Sequence, residues 1–90
     1  VLARLVRGRG PRVLLNSHLD TVPVGQGWSV PPLGNDWKDG RLYGRGANDA
    51  KVSVAAMIAA LEDLAARPGD LAGELVLALT ACEETTNTGM

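Results

Sequence analysis

The sequence has little cysteine and no long apolar segment, and each absence excludes a class of protein. Cys82 is the only cysteine, so an intrachain disulfide is impossible and the chain suits a reducing compartment, which predicts a cytoplasmic location. No segment has the ~18 consecutive apolar residues of a membrane-spanning helix. The first residues also lack the basic-then-apolar order of a signal peptide. We therefore expect no membrane partner.

A strong excess of charge of either sign is absent as well. The formal net charge is -1, with 21% charged and 46% hydrophobic residues, which is an ordinary globular composition. Nucleic acids and anionic membranes favour proteins with a marked basic excess, so neither is indicated as a partner. Four arginines cluster in the sequence, but they flank a Gly-Arg-Gly-Pro connection and are expected to be solvated there: Arg4, Arg7, Arg9 and Arg12.

The length allows one small domain at most, since the chain has 90 residues. It opens in a strand-like segment without an initiator methionine, and it stops shortly after an acidic motif. We therefore expect an incomplete domain, residues 1–90, that belongs to a longer protein.

The first half of the chain predicts strands separated by a long loop. Val1–Arg7 and Arg12–Ser17 have the β-branched and alternating character of strands, and we expect them to pair as a hairpin. Residues 21–40 show no sustained period and many prolines and glycines, which is typical of a functional loop. Asp39-Gly40 is a turn signal that leads into a short strand, Arg41–Tyr43.

The second half predicts a helix followed by a buried strand. Apolar residues recur at the i, i+3, i+4, i+7 spacing of one helical face and place a helix at about Ala50–Ala66, stopped by Pro68-Gly69. Glu74–Thr80 is nearly all apolar, as expected for a strand covered on both faces. A helix between two strands predicts the α/β class, here a layered mixed sheet with flanking helices.

Chemically versatile side chains follow the predicted element ends. His18 and Asp20 lie just beyond one strand, Asp49 lies at the start of the helix, and Glu83 and Glu84 lie just beyond the last strand. Ligands of α/β proteins collect at the carboxyl ends of strands, so these groups can share one rim. The simpler alternatives are that Asp49 caps the helix and that the glutamates are a solvated strand end.

The pattern suits a metal site. Residues i and i+2 of an extended segment point to the same side, so Asp20 can contact His18 and hold the tautomer whose other nitrogen is free for a metal. Adjacent carboxylates diverge, so one of Glu83 and Glu84 can bind metal while the other acts as a general base. Zinc accepts mixed imidazole and carboxylate ligands, and two bridged ions would activate water for attack on an amide.

Three ordered motifs resemble one known family. They are Ser17-His18-Leu19-Asp20-Thr21-Val22-Pro23, then Gly44-Arg45-Gly46-Ala47-Asn48-Asp49-Ala50-Lys51, then Glu83-Glu84. Together they look like the zinc-dependent amidohydrolase and metallopeptidase family of acetylornithine deacetylase, succinyl-diaminopimelate desuccinylase, aminoacylase and carboxypeptidase G. The sequence departs from that family's usual pattern around Lys51 and at Cys82. These positions support the helix start and the loop and are not ligand positions.

The resemblance implies a role for each site residue. His18 matches a ligand of the first metal, and Asp20 matches the carboxylate that orients it. Asp49 matches the carboxylate that bridges two zinc ions and precedes a cis peptide bond. Glu83 matches the general base, and Glu84 matches a ligand of the second metal. Cobalt or manganese could substitute for zinc.

The resemblance also implies a reaction and its requirements. The substrate would be an N-acyl amino acid, with the closest likeness to acetylornithine deacetylase, or a short peptide cleaved by a dipeptidase or carboxypeptidase. The full-length enzyme would be a homodimer. Further metal ligands and the lid and dimerisation domain are absent from these 90 residues, so the chain alone should be inactive. A non-catalytic binding module and a hydrolase that uses Cys82 with His18 remain as alternatives.

Overall fold

A three-stranded mixed sheet with one helix packed on it forms the larger part of the structure, a computed structural model that describes residues 1–89. The strands and the helix are β1 (Leu2–Arg7), β2 (Arg12–His18), β3 (Asp36–Lys38), β4 (Arg41–Tyr43), α1 (Val52–Ala66) and β5 (Gly73–Thr80). The predicted α/β class and the mixed sheet are confirmed. None of the described helices has the length and apolar composition needed to cross a bilayer.

The predicted hairpin between the first two strands is wrong. β5 lies between β1 and β2, antiparallel to the first and parallel to the second. The reason is burial: β5 is the most apolar strand, and the central position of the sheet removes most of its surface from water. The Gly-Arg-Gly-Pro connection correctly indicated a change of direction, but a turn signal does not show whether a third strand will enter between its two arms.

The core lies between one face of β5 and the helix. Val54 of α1 packs against Leu77 and Leu79, which are 4% and 8% exposed. Burying a leucine side chain contributes about 1.5–3 kcal/mol relative to exposure. Partly buried apolar residues extend this cluster: Ala3, Leu15, Met57 and Leu61.

The expectation that β5 is covered on both faces is wrong for the described residues. Gly73, Leu75, Leu77 and Leu79 alternate with half-buried neighbours along the strand. The opposite face of the sheet carries Leu2 and Leu14, which are 74% and 61% exposed. Only one helix is present in residues 1–89 to cover the sheet, so one face remains accessible.

Two further differences concern the middle of the chain. The predicted loop contains a strand, β3, which forms a two-stranded hairpin with β4 through Asp39 and Gly40. Both turn residues have positive φ, at 52° and 72°, as a two-residue hairpin turn requires. The helix begins at Val52 rather than at Ala50, because a short turn, Ala47–Lys51, precedes it with non-helical backbone at Asp49 and Ala50.

Candidate metal centre

His18 ends β2 with both ring nitrogens facing oxygen atoms. The residue is 9% exposed, and its Nδ1 donates to the backbone carbonyl of Asp20 at 3.1 Å. Its Nε2 lies 3.1 Å from Oδ1 of Asp49. Donation from Nδ1 selects the tautomer in which Nε2 of the neutral ring carries a lone pair. That lone pair points to where a metal could bind.

The group that orients His18 differs in detail from the prediction. Nδ1 donates to the backbone carbonyl of Asp20, whereas the nearer oxygen of the Asp20 carboxylate lies 3.6 Å from Nδ1. The carboxylate instead accepts the backbone N–H groups of Glu83 and Glu84, at 3.2 and 3.0 Å. Asp20 thus joins the loop after β2 to the loop after β5, which no local sequence signal could indicate.

These amide contacts affect the ionisation of Asp20. Burial raises the pKa of its carboxyl, but the hydrogen bonds from the two backbone amides, together with smaller contributions, lower the pKa below its usual value. Asp20 therefore stays an anion at neutral pH, which keeps its two acceptor oxygens available.

Asp49 reaches His18 from the turn before α1. The peptide bond between Asp49 and Ala50 is cis, as the family resemblance implied. No capping hydrogen bond from a side chain is present at the start of this turn or of α1, so the alternative that Asp49 caps the helix is not supported. The Asp49 side chain is 73% exposed and remains accessible from solvent.

The glutamates after β5 complete the cluster. His18, Asp49 and Glu84 each offer a ligand atom, and the three atoms lie within 4.8 Å of one another. Oε2 of Glu83 lies 4.0 Å from Nε2 of His18, and the Glu83 side chain is 40% exposed. The predicted set of His18, Asp20, Asp49, Glu83 and Glu84 is therefore brought together at one edge of the sheet.

The donor set fits a divalent metal such as zinc. Zinc binds imidazole nitrogen and carboxylate oxygen at about 2.0–2.2 Å, which places two ligands of a tetrahedral ion about 3.3–3.6 Å apart. The 3.1 Å between Nε2 of His18 and Oδ1 of Asp49 is close to that separation. One imidazole with two carboxylates also provides the charge that a dication favours.

The electrostatics of the edge favour a cation. Burial lowers the pKa of His18, but the hydrogen bonds to Asp49 and to the Asp20 carbonyl, with the nearby charge of Glu83, raise it overall. A raised histidine pKa means that the surrounding oxygens stabilise positive charge on the ring. The same oxygens would stabilise a metal cation.

Lys51 lies near the site and makes a contact that the sequence did not predict. The ammonium nitrogen of Lys51 donates to the backbone carbonyl of Leu19 at 2.9 Å. Lys51 belongs to the second motif, but nothing in its sequence neighbourhood indicates a partner 32 residues earlier. Only the folded chain brings the two together.

Known proteins resemble the chain over most of its length. The family described as peptidase family M20/M25/M40 matches residues 14–90, a range that includes every candidate site residue. Succinyl-diaminopimelate desuccinylase of Wolinella succinogenes is 51% identical over 77 residues, which cover 86% of this chain and 20% of that protein.

Two further relatives carry the same name. The protein of Parvibaculum lavamentivorans is 49% identical over 84 residues, 91% of this chain and 20% of the relative. That of Rhodospirillum centenum is 46% identical over 78 residues, 84% of this chain and 20% of the relative. The chain therefore spans about a fifth of the length of these curated relatives.

Proposed function

Because the chain belongs to peptidase family M20/M25/M40, we propose that the protein containing it hydrolyses the amide bond of an N-acyl amino acid with the help of two zinc ions. The observation that carries this proposal is the convergence of His18, Asp49 and Glu84, with ligand atoms within 4.8 Å of one another. Glu83 lies next to this cluster but is not one of its three potential ligands.

The three residues of this cluster would hold the metal. His18 would bind through Nε2, Glu84 through its carboxylate, and Asp49 would be shared between the ions, as the family resemblance implies. When bound, zinc polarises a carbonyl and lowers the pKa of water near it. Cobalt and manganese would serve as experimental substitutes.

Glu83 would move the proton. Its Oε2 lies 4.0 Å from Nε2 of His18, which places a carboxylate at the edge of the cluster and open to solvent. A base in that position takes a proton from the attacking water and returns it to the nitrogen of the leaving amine. Asp20 would keep this geometry, because its carboxylate holds the backbone of Glu83 and Glu84.

The substrate class follows from the relatives and not from the cluster itself. The relatives are named for removing a succinyl group from diaminopimelate, so N-succinyl-diaminopimelate is the first substrate to test. N-acetylornithine, which the motif resemblance predicts, is the second. A dipeptide substrate would indicate the peptidase branch of the family.

The wider context is part of the same proposal. Residues 1–90 would be one portion of a larger catalytic domain, since the 77 matched residues cover only 20% of the relative. The complete protein would supply further metal ligands and a lid, act on a small molecule in the cytoplasm, and form a homodimer.

The experiment is turnover by the complete protein on N-succinyl-diaminopimelate, N-acetylornithine and a set of dipeptides. We expect a chelator to abolish turnover and zinc or cobalt to restore it. Glu83→Gln should lower kcat about 10²–10⁴-fold, the range for a general acid-base group, while it retains bound metal. Glu62→Gln, on the exposed side of α1, is the matched control and should behave as wild type.

Three outcomes would contradict the proposal. Turnover that survives both the chelator and Glu83→Gln would exclude the assigned chemistry. Turnover lost on Cys82→Ser but insensitive to chelator would favour the thiol hydrolase. A protein that binds metal and substrate but turns over none of these compounds would favour a binding module.

A further inference from the structure

The Lys51 side chain connects the two segments that carry His18 and Asp49. Lys51 is the last residue of the turn Ala47–Lys51, which contains Asp49. Its Nζ donates to the carbonyl oxygen of Leu19 at 2.9 Å, and Leu19 lies between His18 and Asp20 in the chain. The contact therefore joins the segments immediately beside two candidate metal ligands.

This contact is one of two hydrogen bonds between those segments among residues 1–89. The other is the contact between Nε2 of His18 and Oδ1 of Asp49. In that second contact the Nε2–H group donates to Oδ1, so an ion bound by both side chains would replace this proton and end the hydrogen bond. The bond from Lys51 uses neither ligand atom, so it can persist when the site is loaded.

The backbone N–H group of Leu19 also makes a hydrogen bond. The backbone N–H of Leu19 donates to the Thr80 carbonyl at 2.9 Å, at the end of β5. Leu19 is thus held to the sheet through its amide and to the Asp49 turn through its carbonyl. Loss of the Lys51 bond would remove one of the two hydrogen bonds that join the turn to the segment after β2.

Gly46 leaves space for the Lys51 side chain because it has no Cβ atom. Gly46 is buried and has φ +78°, and a Cβ atom there would lie 2.8 Å from Nζ of Lys51 and 2.6 Å from Cγ2 of Thr21. Any side chain at position 46 would therefore displace the ammonium group. The Lys51 backbone N–H also donates to the Gly46 carbonyl at 3.0 Å, which closes the turn on itself.

We propose that Lys51 is a positioning residue for the metal centre, holding the Asp49 turn in register with the segment after His18. This inference rests on the proposed function, because it assumes that His18 and Asp49 bind metal. The bond is exposed to solvent, where water can replace either partner, so its net contribution to folding is small. Its effect should therefore appear in metal affinity and kcat and not in global stability. Residues that support metal ligands typically change metal affinity or activity by 10–100-fold when they are replaced.

The test compares Lys51→Met, which removes the ammonium but keeps the aliphatic length, with Lys51→Arg, which keeps a donor. Lys38→Met, at the chain's other lysine on β3, is the matched control. Each variant of the complete protein is stripped of metal. Zinc affinity is then measured by calorimetry and the site geometry by the visible spectrum of bound cobalt.

We expect Lys51→Met to bind zinc about 10–100-fold more weakly and to alter the cobalt spectrum. Its kcat should fall while KM stays within about twofold, and the Tm of the metal-free protein should change by no more than a few degrees. Lys51→Arg should recover part of the affinity. Lys38→Met should match wild type in every measurement.

The possible failures are distinguishable. Wild-type affinity and spectrum in Lys51→Met, in a protein that itself binds zinc and hydrolyses substrate, would overturn this inference alone. A metal-free Lys51→Met protein that fails to fold, or melts about 10 °C or more below wild type, would reveal a structural role and also overturn it. A wild-type protein that binds no zinc would overturn the proposed function instead.

Discussion

The two edges of the three-stranded sheet both carry charged clusters, but they are balanced differently. At the edge where β5 begins, Glu74 accepts from Nε of Arg4 at 2.6 Å and from Nε of Arg12 at 2.5 Å. The opposite edge, where β2 and β5 end, gathers four carboxylates around one imidazole: Asp20, Asp49, Glu83 and Glu84 around His18.

The pKa shifts of Glu74 and His18 reflect this difference in charge balance between the two edges. Hydrogen bonds from Arg12 and Arg4 lower the pKa of Glu74, so that carboxylate is neutralised by two fixed cations. At the other edge, Lys51 donates to a backbone carbonyl, and the histidine pKa is raised by the surrounding oxygens. A cluster whose counter-ions belong to the chain has a structural role. A cluster with excess negative charge around an imidazole favours a cation from solution.

The largest effect on metal binding and turnover should follow from replacing His18, at the sheet edge that carries the candidate metal centre. His18→Ala in the complete protein removes the only imidazole of residues 1–90, and we expect loss of bound zinc and a fall in turnover of about a thousandfold or more. Elemental analysis and turnover would measure both. Glu74→Gln should retain its metal. Equal metal content in the two variants would remove the distinction between the edges.

A smaller effect should follow from Asp20→Asn. Asparagine has one acceptor oxygen, so one of the N–H groups of Glu83 and Glu84 loses its partner. We expect zinc affinity about 10–100-fold weaker, measured by calorimetry. Asp36→Asn, on the exposed strand β3, is the control. Unchanged affinity would show that Asp20 does not position the glutamates.

A still smaller effect should follow from Glu74→Gln, and it should depend on pH. Because the folded-state pKa of Glu74 is lowered, its stabilising contribution is present above the unfolded-state pKa, about 4.3, and is lost as pH falls through the folded-state value. The variant should melt a few degrees below wild type at pH 7, and the difference should vanish in acid. A difference that grows in acid would contradict this sign.

The smallest effect is expected at the exposed end of α1. Arg67 pairs with Asp63 and Asp70, and these carboxylate side chains are 61% and 47% exposed. Exposed ion pairs contribute little, so Arg67→Gln should leave the melting temperature and zinc affinity unchanged. A clear fall in melting temperature would mean that ion pairs stabilise this protein even where both partners are about half exposed.

Several parts of the fold were predictable because they depend on neighbouring residues. The apolar spacing of Val54, Met57 and Leu61 predicted the helix, and the apolar run ending at Thr80 predicted β5 to within one residue. The Asp39-Gly40 signal predicted a turn, and the structure has one there. The brief strand β3 escaped detection because three residues are too few to show a period.

The partners of these elements were not predictable in the same way. The hairpin between β1 and β2 was a reasonable expectation from a short connection, yet β5 enters between them from more than 60 positions away. Strand choice depends on which arrangement buries the most apolar surface, and that is a property of the whole chain.

The amino-acid sequence was sufficient to specify which residues could bind a metal and which element ends would present them. His18, Asp49 and Glu84 carry the ligand chemistry whatever the fold. Their convergence, the double amide contact of Asp20 and the reach of Lys51 to Leu19 arise from the parallel pairing of β2 with β5 and the docking of α1. Side-chain chemistry is local, whereas distances between segments far apart in the chain are set by packing and hydrogen bonding across the entire fold.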